Sequence, residues 1–133
     1  QLSMVEQNEV QSRVLVLPTA RIDRRTFPDQ VIKRIQEYYL DNASVCVAYF
    51  SKEARFTGEK TIFYESFDQL LELLNQFDLV YCPDTLTAHL CQMMHKPHVI
   101  LYPENHNKSF LTPHVLRTGN HSSFFEFMLR RNN

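Results

Sequence analysis

Asp78-Leu79-Val80-Tyr81-Cys82-Pro83-Asp84-Thr85-Leu86-Thr87-Ala88-His89-Leu90, continued by Cys91 to Lys96 and then Pro97-His98-Val99-Ile100-Leu101-Tyr102, reads as strand, helix, strand. Asp78 to Cys82 (DLVYC) has the length and apolar content of a buried strand. Pro83 breaks it, and Asp84 is placed to cap a helix running to about His95, with Leu86, Leu90 and Met93 or Met94 facing inward. His98 to Tyr102 (HVILY) is again strand-like. Two strands joined through a helix need a crossover, so they lie parallel in one sheet.

The same alternation extends upstream. Arg13 to Pro18 (RVLVLP) is a short strand, and Pro28 to Leu40 carries Val31, Ile32, Ile35 and Tyr38 or Tyr39 at helical spacing. Pro28 suits a first helical turn, where its missing N–H costs nothing. Ser44 to Phe50 (SVCVAYF) is a second strand, and Lys60 to Tyr64 (KTIFY) a third, after a polar loop containing Gly58. Ser66-Phe67-Asp68-Gln69 is a capping box opening a helix whose Phe67, Leu70, Leu71, Leu74 and Phe77 share one face. Beyond Tyr102, a loop with Pro103 and Pro113 leads to a last amphipathic segment, Ser123 to Arg130. The pattern predicts a Rossmann-like three-layer α/β/α domain over residues 13–133. Its mainly parallel, five-stranded sheet would hold strands one and four as neighbours. Residues 1–12 are expected to be a disordered or cloning-derived leader, polar and without an apolar signal core.

The composition agrees with one such domain. The chain has 133 residues, 44% hydrophobic and 22% charged, enough to bury a core without disulfides or a metal. No run of 18 apolar residues exists to span a bilayer. Fourteen Lys plus Arg against fifteen Asp plus Glu gives a net charge of −1, so there is no general attraction to nucleic acid or anionic lipid. The short basic clusters Arg21, Arg24, Arg25 and Arg130, Arg131 are local. Cys46, Cys82 and Cys91 are odd in number and show no CxxC spacing, which reads as buried reduced thiols in a cytoplasmic protein. Only two glycines occur, Gly58 and Gly119, where average usage gives about nine. That excludes the Walker loop and the GxGxxG fingerprint.

In parallel sheets ligands bind beyond the carboxyl ends of the strands, near the reversal of strand order. Four segments qualify: residues 19–27, 51–55, 83–89 and 103–108. The third is the most informative, because a strand delivers Asp84, Thr85 and Thr87 to a helix start, where free N–H groups and the dipole favour an anion. His89, two residues past Thr87, is within reach of the same mouth. The plainer alternative is that Asp84 and Thr85 only cap the helix and His89 is an ordinary core or surface histidine. His89, Cys91, His95 and His98 lack the i, i+4 pair of a helical zinc site. Cys82 near His89 has no visible third member or oxyanion turn to make it a nucleophile. An acidic pair after the first strand, as a phosphoacceptor receiver needs, is absent at Pro18-Thr19-Ala20.

These motifs, in this order, resemble the heptosyltransferases and their relatives in glycosyltransferase family 9. That family carries a D-T-G-x-x-H helix start and then a P-x-[VI]-x-L-[FY] strand. Here they read Asp84-Thr85-Leu86-Thr87-Ala88-His89 and Pro97-His98-Val99-Ile100-Leu101-Tyr102. The family's basic loop and K-x-W-P-like helix start are matched by Thr19-Ala20-Arg21 and Arg25-Thr26-Phe27-Pro28, and its S-F-x-x-L-x-x-L-L helix by Ser66 to Leu74. The resemblance covers about residues 13–115.

What the resemblance implies is the C-terminal, donor-binding half of a GT-B glycosyltransferase in lipopolysaccharide or cell-surface glycan synthesis. Its donor would be a nucleotide-diphosphate sugar such as ADP-heptose, bound without a metal or other cofactor. Arg25 stands where a family lysine meets the diphosphate, in a basic loop begun by Thr19. Thr85 and the adjoining backbone, with Thr87, meet the phosphates. Asp84 lies near the transferred sugar, His89 supports the loop, and Glu53 approaches the ribose or base. The catalytic base belongs to an N-terminal acceptor-binding domain, the expected partner, with membrane association at most peripheral. Two departures fall in the phosphate pocket: Leu86 replaces the motif glycine, and Pro103-Glu104-Asn105 replaces a glycine-containing turn and adds a negative charge. The alternative they favour is a degenerate, non-catalytic domain of this fold serving as a protein interaction module.

Overall fold

The computed structural model describes residues 12–39, 43–51 and 61–130. Among them six strands form one sheet: β1 (Ser12–Val16), β2 (Ala43–Phe50), β3 (Thr61–Tyr64), β4 (Leu79–Cys82), β5 (His98–Tyr102) and β6 (His121–Ser123). The order is β3-β2-β1-β4-β5-β6 and every pairing is parallel. The expected neighbours β1 and β4 are joined in register, Val14 beside Leu79 and Val16 beside Tyr81. Leu17 N–H extends the ladder to Tyr81 O at 2.9 Å.

Helices cover both faces, making the three layers. Leu15, Val80, Ile100 and Tyr102 point to the face covered by α2 (Phe67–Gln76), α3 (Leu86–Met93) and α4 (Pro113–Thr118). Val14, Val16, Val45, Val47 and Leu101 point to the opposite face, where α1 (Asp29–Tyr38) and α5 (Phe124–Leu129) contribute Val31, Ile35, Phe124 and Phe127. Burial on both faces explains why the central strands read as continuous apolar runs rather than alternating ones.

Several expectations need correction. The sheet has six strands, not five: His121–Ser123 pairs with Ile100, Leu101 and Tyr102. Three residues, His-Ser-Ser, with no β-branched side chain and no Tyr, Phe or Trp carry no strand signal of their own, and the edge of β5 makes them one. The loop expected after Tyr102 contains α4, with Pro113 in its first turn, Thr112 Oγ1 accepting from Val115 N–H, and Gly119 at φ +73° closing it. In α2 the buried face is Leu70, Leu73 and Leu74, while Phe67 is 52% exposed. In α3 the buried residues are Ala88, Leu90 and Cys91; of the two methionines Met94 packs against the core and Met93 is 75% exposed, and Leu86, expected inward, is 60% exposed. The helix begins at Leu86, so that side chain sits in the first turn, at the mouth of the strand ends rather than over the sheet.

Candidate functional site

Strand order reverses between β1 and β4, and a cleft of about 520 Å³ opens at their carboxyl ends. One wall is the loop after β1, contributing Thr19, Arg21, Ile22 and Arg25. Thr26 ties this loop shut: its Oγ1 accepts from Ala20 N–H at 2.9 Å, and Phe27 N–H returns to Pro18 O at 2.9 Å. A 3-10 turn, Asp23–Arg25, then presents Arg25 half-buried toward the cleft. The facing wall is Asp84, Thr85, Leu86 and Thr87, with Tyr64 and Leu70 closing the side.

The first turn of α3 opens into this space without a side-chain cap. Thr85 occupies the cap position, but its hydroxyl donates to Pro83 O at 3.3 Å instead. Thr85 O accepts from the N–H groups of Ala88 and His89. Among the described residues no acceptor meets the N–H of Leu86 or Thr87. Asp84, expected to cap, is turned away: its Oδ2 lies 3.0 Å from His106 Nε2. That pair is almost wholly out of water, with His106 side-chain exposure 0% and Asp84 8%. The His106 ring in turn stacks on Tyr102, centroids 5.2 Å apart, and Tyr102 hydroxyl meets His121 Nδ1 at 2.7 Å.

The structure therefore brings Thr19, Arg25, Asp84, Thr85 and Thr87 to one cleft. His89 is not among its lining residues and is exposed one turn into α3. Glu53 lies outside the described residues. Glu104 adds no charge to the cleft: its Oε2 accepts from Phe125 N–H at 2.6 Å and so anchors the start of α5. His106 was missed by reading motifs, although it lies in the segment 103–108 that the strand-end rule marks. Its signal is positional only, an imidazole beyond the fifth strand with an aspartate beyond the fourth.

Chemically, two arginines, exposed backbone N–H groups and a positive helix end favour a polyanion. The cysteines do not suggest nucleophilic chemistry. Burial pushes the Cys82 thiol well above its ordinary range, and Cys91 up to about 12. Among the described residues no group of three or more His, Cys, Asp or Glu is placed to hold a metal ion. No helix among them is long and apolar enough to cross a membrane. No family model, curated protein or solved structure matches the chain. The Rossmann-like three-layer fold thus stands on its own topology.

Proposed function

We propose that the cleft binds the diphosphate of a nucleotide-diphosphate sugar, and that the chain is the donor-binding part of a heptosyltransferase-like glycosyltransferase of cell-surface glycan synthesis in the cytoplasm. One observation carries the reading: Arg21 and Arg25 face the uncapped start of α3 across the switch point of the sheet. A diphosphate complements Arg21, Arg25 and the positive start of α3. Arg25 supplies a forked cation and α3 supplies directed N–H groups, contacts together worth about 2–4 kcal/mol. Thr85 and Thr87 add hydroxyls beside the phosphates. No residue of the cleft is assigned a catalytic role; in this reading the catalytic base comes from an acceptor-binding domain.

A second reading has its own observation. Ile22 and Leu86 both line the cleft and are 43% and 60% exposed, so its mouth offers apolar surface of the kind a protein partner covers. Calorimetric titration of ADP and UDP separates the two. Arg25→Ala should weaken binding about tenfold, the loss of one charge-assisted contact. Leu86→Gly should tighten it, because backbone approach to the phosphates is no longer crowded. If neither nucleotide binds wild type or Leu86→Gly, the interaction-module reading replaces the first.

A further inference from the structure

A second cavity, of about 310 Å³, lies at the amino end of β5, at the opposite edge of the sheet from the cleft. It is enclosed by the end of α3, the loop to β5 and α4. His95, Lys96, His98 and His114 line it together with Cys91 and Asn120, and no carboxylate is among its lining residues. We infer that this cavity is a separate oxyanion site, which takes a hydrogen phosphate group, free or as the monoester of a small metabolite, with its P–OH donating to His98 Nε2. The inference is independent of the diphosphate reading of the cleft.

One atom carries it. His98 is 7% exposed, and its Nε2 is buried with no hydrogen-bond partner among the described residues. Its Nδ1 lies 2.9 Å from Lys96 O and holds the ring proton, so Nε2 is an acceptor. Burial, and then the facing His114, lower the pKa of His98 against that hydrogen bond, which keeps the ring neutral at neutral pH. A buried acceptor without a donor is costly, so the site calls for a ligand O–H. Its surroundings call for negative charge on the same ligand. His95 and Lys96 approach from the loop and His114 from α4, while Cys91 of α3 is neutral, its thiol pushed up to about 12 by burial. Val80, the neighbour of His98 on β4, does not titrate. No three of these groups are placed to share a metal ion. Hydrogen phosphate has both features, one O–H and anionic oxygens. His95 points the same way: at φ +56° it holds the left-handed position after α3 where glycine is usual, so backbone strain accompanies an imidazole on the cavity wall.

Phosphate titrated into the full chain at about pH 6.5 and followed by NMR should shift the His98, His114 and Lys96 signals. Glycerol 3-phosphate, run beside it, separates the sources: tighter binding than inorganic phosphate marks a monoester site, and weaker binding a site for the free ion. Signals of Thr85 and Leu86, at the cleft, report separately on the diphosphate reading. Sulfate has the same shape but no proton to donate, so it should bind about tenfold more weakly. That deficit should shrink as pH falls, because His98 then supplies the proton. His98→Phe keeps a ring in the core but removes the acceptor, and should bind phosphate as weakly as sulfate. His114→Ala, at the surface, should weaken phosphate binding about threefold. His95→Gly should raise the melting temperature by about 3 °C and still weaken binding. No shift at His98, equal wild-type affinity for phosphate and sulfate, or unchanged phosphate binding in folded His98→Phe would each overturn the proposal. Should His98→Phe not fold, the other two variants decide: phosphate binding as tight as wild type in both His114→Ala and His95→Gly means that this cavity is not an oxyanion site.

Discussion

His98 shows how one side chain ties stability to pH. It opens β5 with 7% exposure, and its Nδ1 lies 2.9 Å from Lys96 O, so that nitrogen carries the proton it donates. Burial lowers the pKa of His98 below its ordinary 6.5, and the neighbouring His114 lowers it further against that hydrogen bond. His121 is lowered as well, chiefly by burial. A histidine that stays neutral in the fold but protonates in the unfolded chain gives stability that is full above the unfolded pKa. That stability is lost as pH falls from about 6.5 through the folded pKa. The melting temperature should therefore drop between about pH 7 and pH 5, and His98→Gln should make the drop shallower. A thermal melt series in pH steps, run on both proteins, measures the difference in slope. Equal slopes would mean that His98 does not carry this linkage.

At the scale of elements, local signals were readable and tertiary ones were not. The start of α2 belongs to the first kind: Ser66 Oγ accepts from Gln69 N–H at 3.2 Å, as the capping box predicts. The Gln69 side chain reaches one residue further back than expected, to Glu65 N–H at 2.7 Å. Ser66→Ala should cost about 1 kcal/mol in urea denaturation. Gly119, ending α4, tests backbone strain alone, because a Cβ built there meets nothing within 4 Å. Gly119→Ala should cost about 1 kcal/mol for its left-handed φ, with no packing component. What sequence could not supply was phase and partnership. Whether Phe67 or Leu73 faces the sheet depends on how α2 lies across it, and β6 exists only because β5 offers an edge. In the cleft, Thr19, Arg25, Asp84, Thr85 and Thr87 were legible since each follows a strand end on consecutive chain. His106 was not, since only the β4–β5 pairing sets it beside Asp84. His89 lies one turn into α3, exposed and outside the lining of the cleft.

For the whole molecule, the position of the cleft decides what the chain can do by itself. Every lining residue belongs to one sheet end: the loop after β1, the end of β3, the start of α3 and one residue of α2. In the proposed reading, a nucleotide sugar held there meets its acceptor hydroxyl only through the acceptor-binding domain. Holding two reactants in line is worth about 7–11 kcal/mol of a transfer barrier, and a donor site alone provides none of it. Asp84, the carboxylate among the described residues that line the cleft, is paired with His106 and largely shielded from water. The 133-residue chain is therefore expected to bind nucleoside diphosphate yet release none from ADP-sugars or UDP-sugars faster than buffer does. The measurement is coupled detection of nucleoside diphosphate, run with added sugar acceptors and repeated with Leu86→Gly so that weak binding is not the limit. Turnover by the chain alone would place the whole reaction on this one surface. In that case Asp84 and His106 become the first groups to examine as acid and base.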